Sequence, residues 1–356
     1  MPLRRIKKHF DKQAEAKSQL ERVGEELLAI RQKYDYLVLV PKPTGMNWVG
    51  VSNATKRLFG DAVLEVPQYY SQPLFNEKQN QQFVKLISAA KFKQVICSGH
   101  HLYFLDLLAT LKLLGIKTGV IFHGALSELA ESPERLSVFA RMMEMLRTSQ
   151  IDKIGFVKKG LAETFQELAT PNSFNLFLNC PIPEGVVSSN GTLEKPRIAI
   201  AGGGNFNKNL HNQVAAALLV KDSEIHLWGN SKDFEFWNSK DRIVTHPHSS
   251  HSDFLKALGS CDASLYLSFS ESWGQVITES LAMGIPCLCS DNNGIFDDNE
   301  ELKQLLVVSS NDNPALIAER LKFVLSKKEE LKPKLIAHID FLNQKAEELK
   351  TVFLIA

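Results

Sequence analysis

The sequence predicts an α/β protein made of two parallel-sheet domains, and three observations carry that expectation. The chain has 356 residues, too many for one ordinary hydrophobic core. Short apolar, β-branched runs alternate with amphipathic segments, the pattern of strands joined by crossover helices. One stretch, Asn179-Cys180-Pro181-Ile182-Pro183-Glu184-Gly185 followed by Ser188-Ser189-Asn190-Gly191, breaks the alternation with residues that favour turns and linkers. The domain boundary is placed there, giving domains over 35–185 and 186–330 between a leading helix, 1–34, and a closing helix, 331–356.

The elements follow in order. From residue 3 to about 33 the chain carries no internal proline, and Leu20, Val23, Leu27, Ile30 and Tyr34 recur at three- and four-residue spacing, which makes a helix with one apolar seam. Its first turns hold Arg4, Arg5, Lys7 and Lys8 beside Ile6 and Phe10. That arrangement suits an anionic membrane or a partner helix, or else a helix packed on its own domain with a solvated basic face. Strands are then expected at Tyr36 to Val40, Gln94 to Cys97, Thr118 to Phe122 and Lys153 to Val157. Their polar or glycine-bearing loops, Pro41 to Gly50 (with Gly45), Ser98 to His101, His123 to Ala125 and Lys158 to Gly160, fall at the carboxyl edge, where open α/β sheets hold ligands. Past the linker, strands are expected at Arg197 to Ala201, Glu224 to Trp228, Ala263 to Leu267, Ile285 to Cys289 and Leu305 to Val308. The tail from Asn313 to Phe353 reads as two or more helices broken near Pro333, the last crossing back to the N-terminal domain.

Composition narrows the function. An apolar fraction of 44% and a charged fraction of 23% are globular averages, which excludes a disordered or fibrous chain. A net charge of +1 argues against nucleic acid as the main partner. The five cysteines are odd in number and sit in apolar runs, so they read as reduced core thiols, and Cys287 and Cys289 are spaced for packing rather than for zinc. No apolar stretch reaches membrane-spanning length and the first residues lack the core of a secretion signal. The expected location is the cytoplasm, with at most a peripheral place on the inner membrane face. His246-Pro247-His248-Ser249-Ser250-His251 lacks the Cys or carboxylate partners of a dedicated metal site, so no metal is expected.

The chemistry concentrates in Ser268-Phe269-Ser270-Glu271-Ser272-Trp273-Gly274-Gln275-Val276-Ile277-Thr278-Glu279-Ser280-Leu281-Ala282-Met283-Gly284-Ile285-Pro286. A strand ends, a glycine-bearing turn follows and a helix begins near Gly274, so unsatisfied amides and the positive end of the helix dipole face out of the carboxyl edge. That is an anion site. Glu271 lies before the helix, and Glu279 lies four residues after Gln275 on the same face. Carboxylates accept two hydroxyls at once, which suits the vicinal diols of a sugar or a ribose. A phosphate between two sugars would meet both kinds of group.

Glu271 and Glu279, the glycine between them and the Ser280-to-Pro286 segment behind them resemble the Glu-x7-Glu signature of the group 1 glycosyltransferases (glycosyltransferase family 4). Asp253 to Ala263, Ala201 to Asn209, Lys158 to Leu161 and Asn179 to Pro183 resemble other parts of that family, from about His100 to Leu325. The resemblance implies a GT-B fold, two facing Rossmann-like domains with an interdomain cleft, and a retaining hexosyltransferase. It implies a nucleotide-sugar donor, a UDP-sugar above all, without a required cofactor or metal, and a glycan, lipid-linked or protein acceptor. By the same resemblance Glu279 holds the ribose, Glu271 holds a donor-sugar hydroxyl, and the amides of Trp273, Gly274, Gln275 and Val276 hold the sugar and diphosphate. Gly203 and Gly204 lie in the donor loop, and Lys208 meets the departing diphosphate, where fixed positive charge stabilises the transition state. His123 faces the transferred sugar; His100, His101 and Gly45 are candidates for the acceptor side. The family usually places an Arg ahead of this Lys, where the present chain has Gly202 and Gly203. The absent cation motivates the alternative of a non-catalytic sugar-binding or scaffolding subunit.

Overall fold

A computed structural model of the chain describes residues 20–43, 49–66, 75–180, 195–202, 206–228, 234, 236–237, 241–247 and 250–356. They form two compact units, one of residues up to Leu178 joined by Glu347–Ala356, the other Asn179–Ala346.

In the first unit the elements run α1 (20–33), β1 (Tyr36–Pro41), α2 (Val49–Phe59), β2 (Val63–Val66), α3 (Glu77–Ala90), β3 (Gln94–Ser98), α4 (Leu102–Leu113), β4 (Lys117–Phe122), α5 (Pro133–Arg147), β5 (Lys153–Phe156), α6 (Leu161–Leu168) and β6 (Ser173–Asn175). The six strands form one sheet in the order β2-β1-β3-β4-β5-β6, every pair parallel, with Tyr36 opposite Gln94 and Gly119 opposite Lys153. All residues of β3 and β5 are buried, as expected of parallel strands covered on both faces. The seam of α1, Leu20, Val23, Leu27 and Ile30, is spent on this unit's own core with Phe83, Ile87 and Phe104. The basic cluster at Arg4 to Lys8 lies outside the described residues.

The second unit runs β7 (Arg197–Ala201), α7 (Leu210–Leu218), β8 (Glu224–Trp228), β9 (Ile243–His246), α8 (His251–Gly259), β10 (Ala263–Tyr266), α9 (Gln275–Ala282), β11 (Cys287–Ser290), α10 (Glu300–Leu306), β12 (Val307–Val308), α11 (Pro314–Ser326) and α12 (Lys328–Ile355). Its sheet has the order β12-β11-β10-β7-β8-β9, again all parallel, with Ser264 between Ala199 and Cys287. Two six-stranded parallel sheets with crossover helices are the architecture expected from the alternation. All five cysteines are buried and free.

Three strands were not expected, β2, β6 and β9, and none lies inside a sheet. The tail also differs from expectation. It is interrupted at Lys327, and Pro333 lies inside the 28-residue α12, on its exposed face one turn in, where the lost amide bond is close to the helix start and the freed carbonyl faces water. The end of α12 belongs to the first unit. There Phe353 is fully buried against Phe174, and Lys153 of β5 donates from Nζ to the carbonyls of Phe353 and Leu354 and lies 4.8 Å from the Phe353 ring centroid. No helix among the described residues is long and apolar enough to cross a membrane.

Candidate active site

In an open parallel sheet the crevice lies where the winding reverses, at the carboxyl ends of the two strands on either side. In the second unit those strands are β7 and β10, so residues 206–209, which follow β7, meet the loop 267–274, which follows β10. The two loops are also stitched together. Asn209 takes a left-handed conformation (φ 53°), which asparagine tolerates better than most residues, and its side-chain amide donates to the Leu267 carbonyl at 3.0 Å. Gln213 of α7 donates to the Lys208 carbonyl at 2.7 Å and accepts from the Leu267 amide at 3.1 Å. The Phe269 amide donates to the Asn207 carbonyl at 2.8 Å.

This stitching brings Lys208 and Glu271 together. Nζ of Lys208 lies 2.7 Å from Oε2 of Glu271 and 2.9 Å from the Tyr266 hydroxyl, which itself lies 2.8 Å from the same carboxylate oxygen. The Lys208 and Glu271 side chains are 21% and 14% exposed, so the pair is largely shielded while one side still reaches solvent. Burial, then the neighbouring Glu271 and Glu279 carboxylates, push the Tyr266 hydroxyl well above the usual tyrosine range and keep it protonated. Tyr266 was missed in the sequence. Its signal there is a phenol at the carboxyl end of an otherwise buried apolar strand, five residues before Glu271.

The helix behind Glu271 begins as the motif requires. Gly274 has φ +83°, and a Cβ there would lie 2.7 Å from Cδ1 of Ile277, so only glycine fits the turn. The first intrahelical bonds run from the Ile277 and Thr278 amides to the Gly274 carbonyl, which leaves the amides of Gln275 and Val276 ahead of the ladder at the positive end of α9. The Trp273 side chain is packed inside, 2% exposed, so its contribution to a ligand would come from its backbone. Glu279 is 3% exposed, and its Oε1 accepts from Nε2 of His251 at 2.8 Å. His251 stands at the first position of α8, whose N-cap Ser250 accepts from the Asp253 amide. His246 stacks on Trp228 at 4.5 Å and shares a hydrogen bond with His226 at 3.0 Å. Among the described residues no group of three or more His, Cys, Asp or Glu is set to hold a metal.

Gly202 explains the missing cation position in part. A Cβ there would stand 3.1 Å from Cδ2 of Leu210 and 3.3 Å from Cβ of Lys208, so a side chain would press on the stem of that lysine. Gly203, Gly204 and Gly45 lie outside the described residues.

In the first unit the winding reverses between β1 and β3, and the loops beyond β1, β3 and β4 surround a cavity of about 420 Å³. His100, His101 and His123 line it together with Glu128, Glu134 and Arg135. Nε2 of His123 is 2.8 Å from Oγ of Ser98, which is 2.6 Å from Oγ1 of Thr55, and Thr55 donates to the Val51 carbonyl at 2.7 Å. His100 packs against Phe122 at 4.6 Å, while Nδ1 of His101 accepts from the Tyr103 amide and caps α4. Loss of water contact, then the charge of Arg135, lowers His100 to about 4; desolvation, then His100, lowers His123 to about 3. Both rings are therefore neutral near pH 7, able to exchange hydrogen bonds with hydroxyls.

Each of the two Rossmann-like units thus gathers polar groups at its own switch point. The model of the family "Glycosyl transferases group 1" matches residues 235–338, a span that includes Glu271, Gly274 and Glu279. The sucrose-phosphate synthase from Thermosynechococcus elongatus shares the fold with a TM-score of 0.66 at 13% identity, over 90% of this chain and 98% of that one. A glycosyltransferase from Rickettsia africae is similar with a TM-score of 0.64 at 13% identity, over 90% and 98%. An E. coli structure described as trehalose-6-phosphate bound with UDP-2-fluoro glucose has a TM-score of 0.59 at 12% identity, over 89% and 98%. No curated protein sequence matches the chain significantly. The chain carries a group 1 glycosyltransferase domain on a GT-B fold and is, by class, a glycosyltransferase.

Proposed function

We propose that the chain is a retaining enzyme that moves a hexosyl group from a UDP-sugar to a glycan, lipid-linked or protein acceptor. The observation that carries this reading is the meeting of Lys208 and Glu271 at one switch point, before the glycine-started helix that holds Glu279. In this reading Glu279 grips the ribose, Glu271 takes a hydroxyl of the transferred sugar, and the diphosphate lies between Lys208 and the amides of Gly274, Gln275 and Val276. When the bond from the anomeric carbon to the phosphate oxygen breaks, negative charge grows on the diphosphate, and the lysine and helix start stabilise it. The acceptor oxygen bonds to the same face of that carbon and its proton passes to the leaving phosphate oxygen, so configuration is retained.

The acceptor side is assigned to the cavity of the first unit, where the neutral rings of His100 and His123 can meet sugar hydroxyls. A UDP donor has the further support that the similar E. coli structure holds UDP-2-fluoro glucose.

The test is a thermal-shift screen of UDP-, GDP- and ADP-sugars against the wild type and Glu279→Ala. A ligand that binds the native state raises the melting temperature with its affinity. One nucleotide should stabilise the wild type and lose most of that effect in Glu279→Ala. An equal shift in both proteins would remove Glu279 from the site.

A further inference from the structure

Lys208, Tyr266 and Glu271 form a closed triangle with sides of 2.7, 2.8 and 2.9 Å, and the chemistry of each corner fixes the direction of its bonds. An ammonium only donates and a carboxylate only accepts. The single phenol proton of Tyr266 therefore goes to Glu271, and its lone pair accepts from Lys208. Nζ of Lys208 also lies 5.2 Å from the Tyr266 ring centroid, so the same side chain holds the cation by a second attraction. Lys208 thus gives one proton to Glu271 and one to Tyr266 among the described residues, and an ammonium has a third to give.

The two partners of the lysine act on a diphosphate in opposite ways. Glu271 is an anion in contact with the cation, so it neutralises Lys208 and repels any phosphate that approaches. Tyr266 is neutral and nearly buried, 8% exposed, and fixes Lys208 without charge competition.

We propose that Tyr266 is a positioning residue for transfer, holding Lys208 toward the donor diphosphate while Glu271, the counter-ion of that lysine, yields it to the phosphates and turns to a sugar hydroxyl. The inference rests on the donor assignment made above. It gives Glu271 two partners in sequence and makes the sugar-bearing donor a better ligand than its charge alone would: the sugar hydroxyl supplies a new partner to the carboxylate that the diphosphate displaces.

Inorganic pyrophosphate tests this without reference to nucleoside or sugar. It is titrated calorimetrically into the full chain as wild type, Glu271→Gln, Tyr266→Phe and the exposed control Glu319→Gln. Removing the competing charge should tighten binding in Glu271→Gln by about three- to tenfold, whereas removing the fixed neutral partner should weaken it in Tyr266→Phe by about the same factor. The control should bind like the wild type. Opposite signs are the signature, because simple loss of structure lowers affinity in both variants. Pyrophosphate binding in Glu271→Gln that is equal to or weaker than the wild type, absent from both, or matched by the control overturns the proposal, as does undiminished binding in Tyr266→Phe. A parallel titration of UDP into Glu279→Ala separates the two readings. Undiminished UDP affinity there removes the donor assignment, while lost affinity together with a flat pyrophosphate series removes only the role of Tyr266.

Discussion

Nε2 of His251, at the first turn of α8, lies 2.8 Å from Oε1 of Glu279, a carboxylate whose side chain is 4% exposed on α9. A nearly buried carboxylate depends on its donors, and losing one leaves an acceptor poorly solvated. His251→Ala is therefore expected to destabilise the second unit by about 1–2 kcal/mol, with His251→Gln recovering part of the loss because an amide can still donate. Denaturant midpoints of the three proteins check this; identical midpoints would mean the contact contributes nothing.

Gly274→Ala should do more damage than its size suggests. The residue has φ +83° and the new methyl would come within 2.7 Å of Ile277, so the turn must shift at a cost of about 1–3 kcal/mol. The amides of Gln275 and Val276 would shift with it. Both a lower melting temperature and a smaller thermal shift by the preferred nucleotide are expected, and a variant that kept the full ligand shift would show that those amides are not the anion site.

Lys153 makes a pH-dependent contribution whose sign follows from linkage. Burial, then the charge of Lys117, lowers it from the ordinary 10.5 to about 8 in the folded chain. Between those two values the unfolded chain binds the proton more strongly, so unfolding becomes harder as pH rises. The wild type should gain stability relative to Lys153→Met when urea unfolding is compared at about pH 7.5 and about pH 9.5. A constant difference between the two proteins would count against a shifted lysine.

The neutral histidines give the opposite end of the profile. His100 and His123 are lowered to about 4 and about 3 from an ordinary 6.5. Below pH 6.5 the unfolded chain takes up protons that the folded chain refuses, so their stabilising contribution is whole above that value and is lost as pH falls toward 4. Melting temperatures measured down this range should fall less steeply in His100→Gln and in His123→Gln than in the wild type. Parallel slopes would mean that these rings protonate in the fold as easily as outside it.

The central strands could be read from the sequence because a strand covered on both faces needs consecutive apolar residues. Ile198 to Ala201 and Val95 to Cys97 supply them and are buried throughout. Val63–Val66, with alternating burial, and Ile243–His246, with no fully buried residue, lie on sheet edges where that demand lapses, and Ser173–Asn175 is too short to show a pattern. Glu271, Gly274 and Glu279 were legible because a turn and one helix fix their spacing along the chain. Tyr266 and His251 were not, because their partners come from tertiary neighbours: β10 must lie beside β7 before Tyr266 can meet Lys208, and α8 must pack near α9 before His251 can reach Glu279. Along the chain His251 is only the end of a histidine-rich loop that lacks the partners of a metal site.

The grip of Lys153 on the carbonyls of Phe353 and Leu354 spans two hundred residues of chain. A ribosome delivers the whole of the second unit before the ring of Phe353 emerges, so the nascent first unit must wait with an unfilled hole beside Phe174. A frameshift that scrambles residues 347–356 would therefore injure the half of the protein that is made first, leaving exposed apolar surface for chaperones to hold.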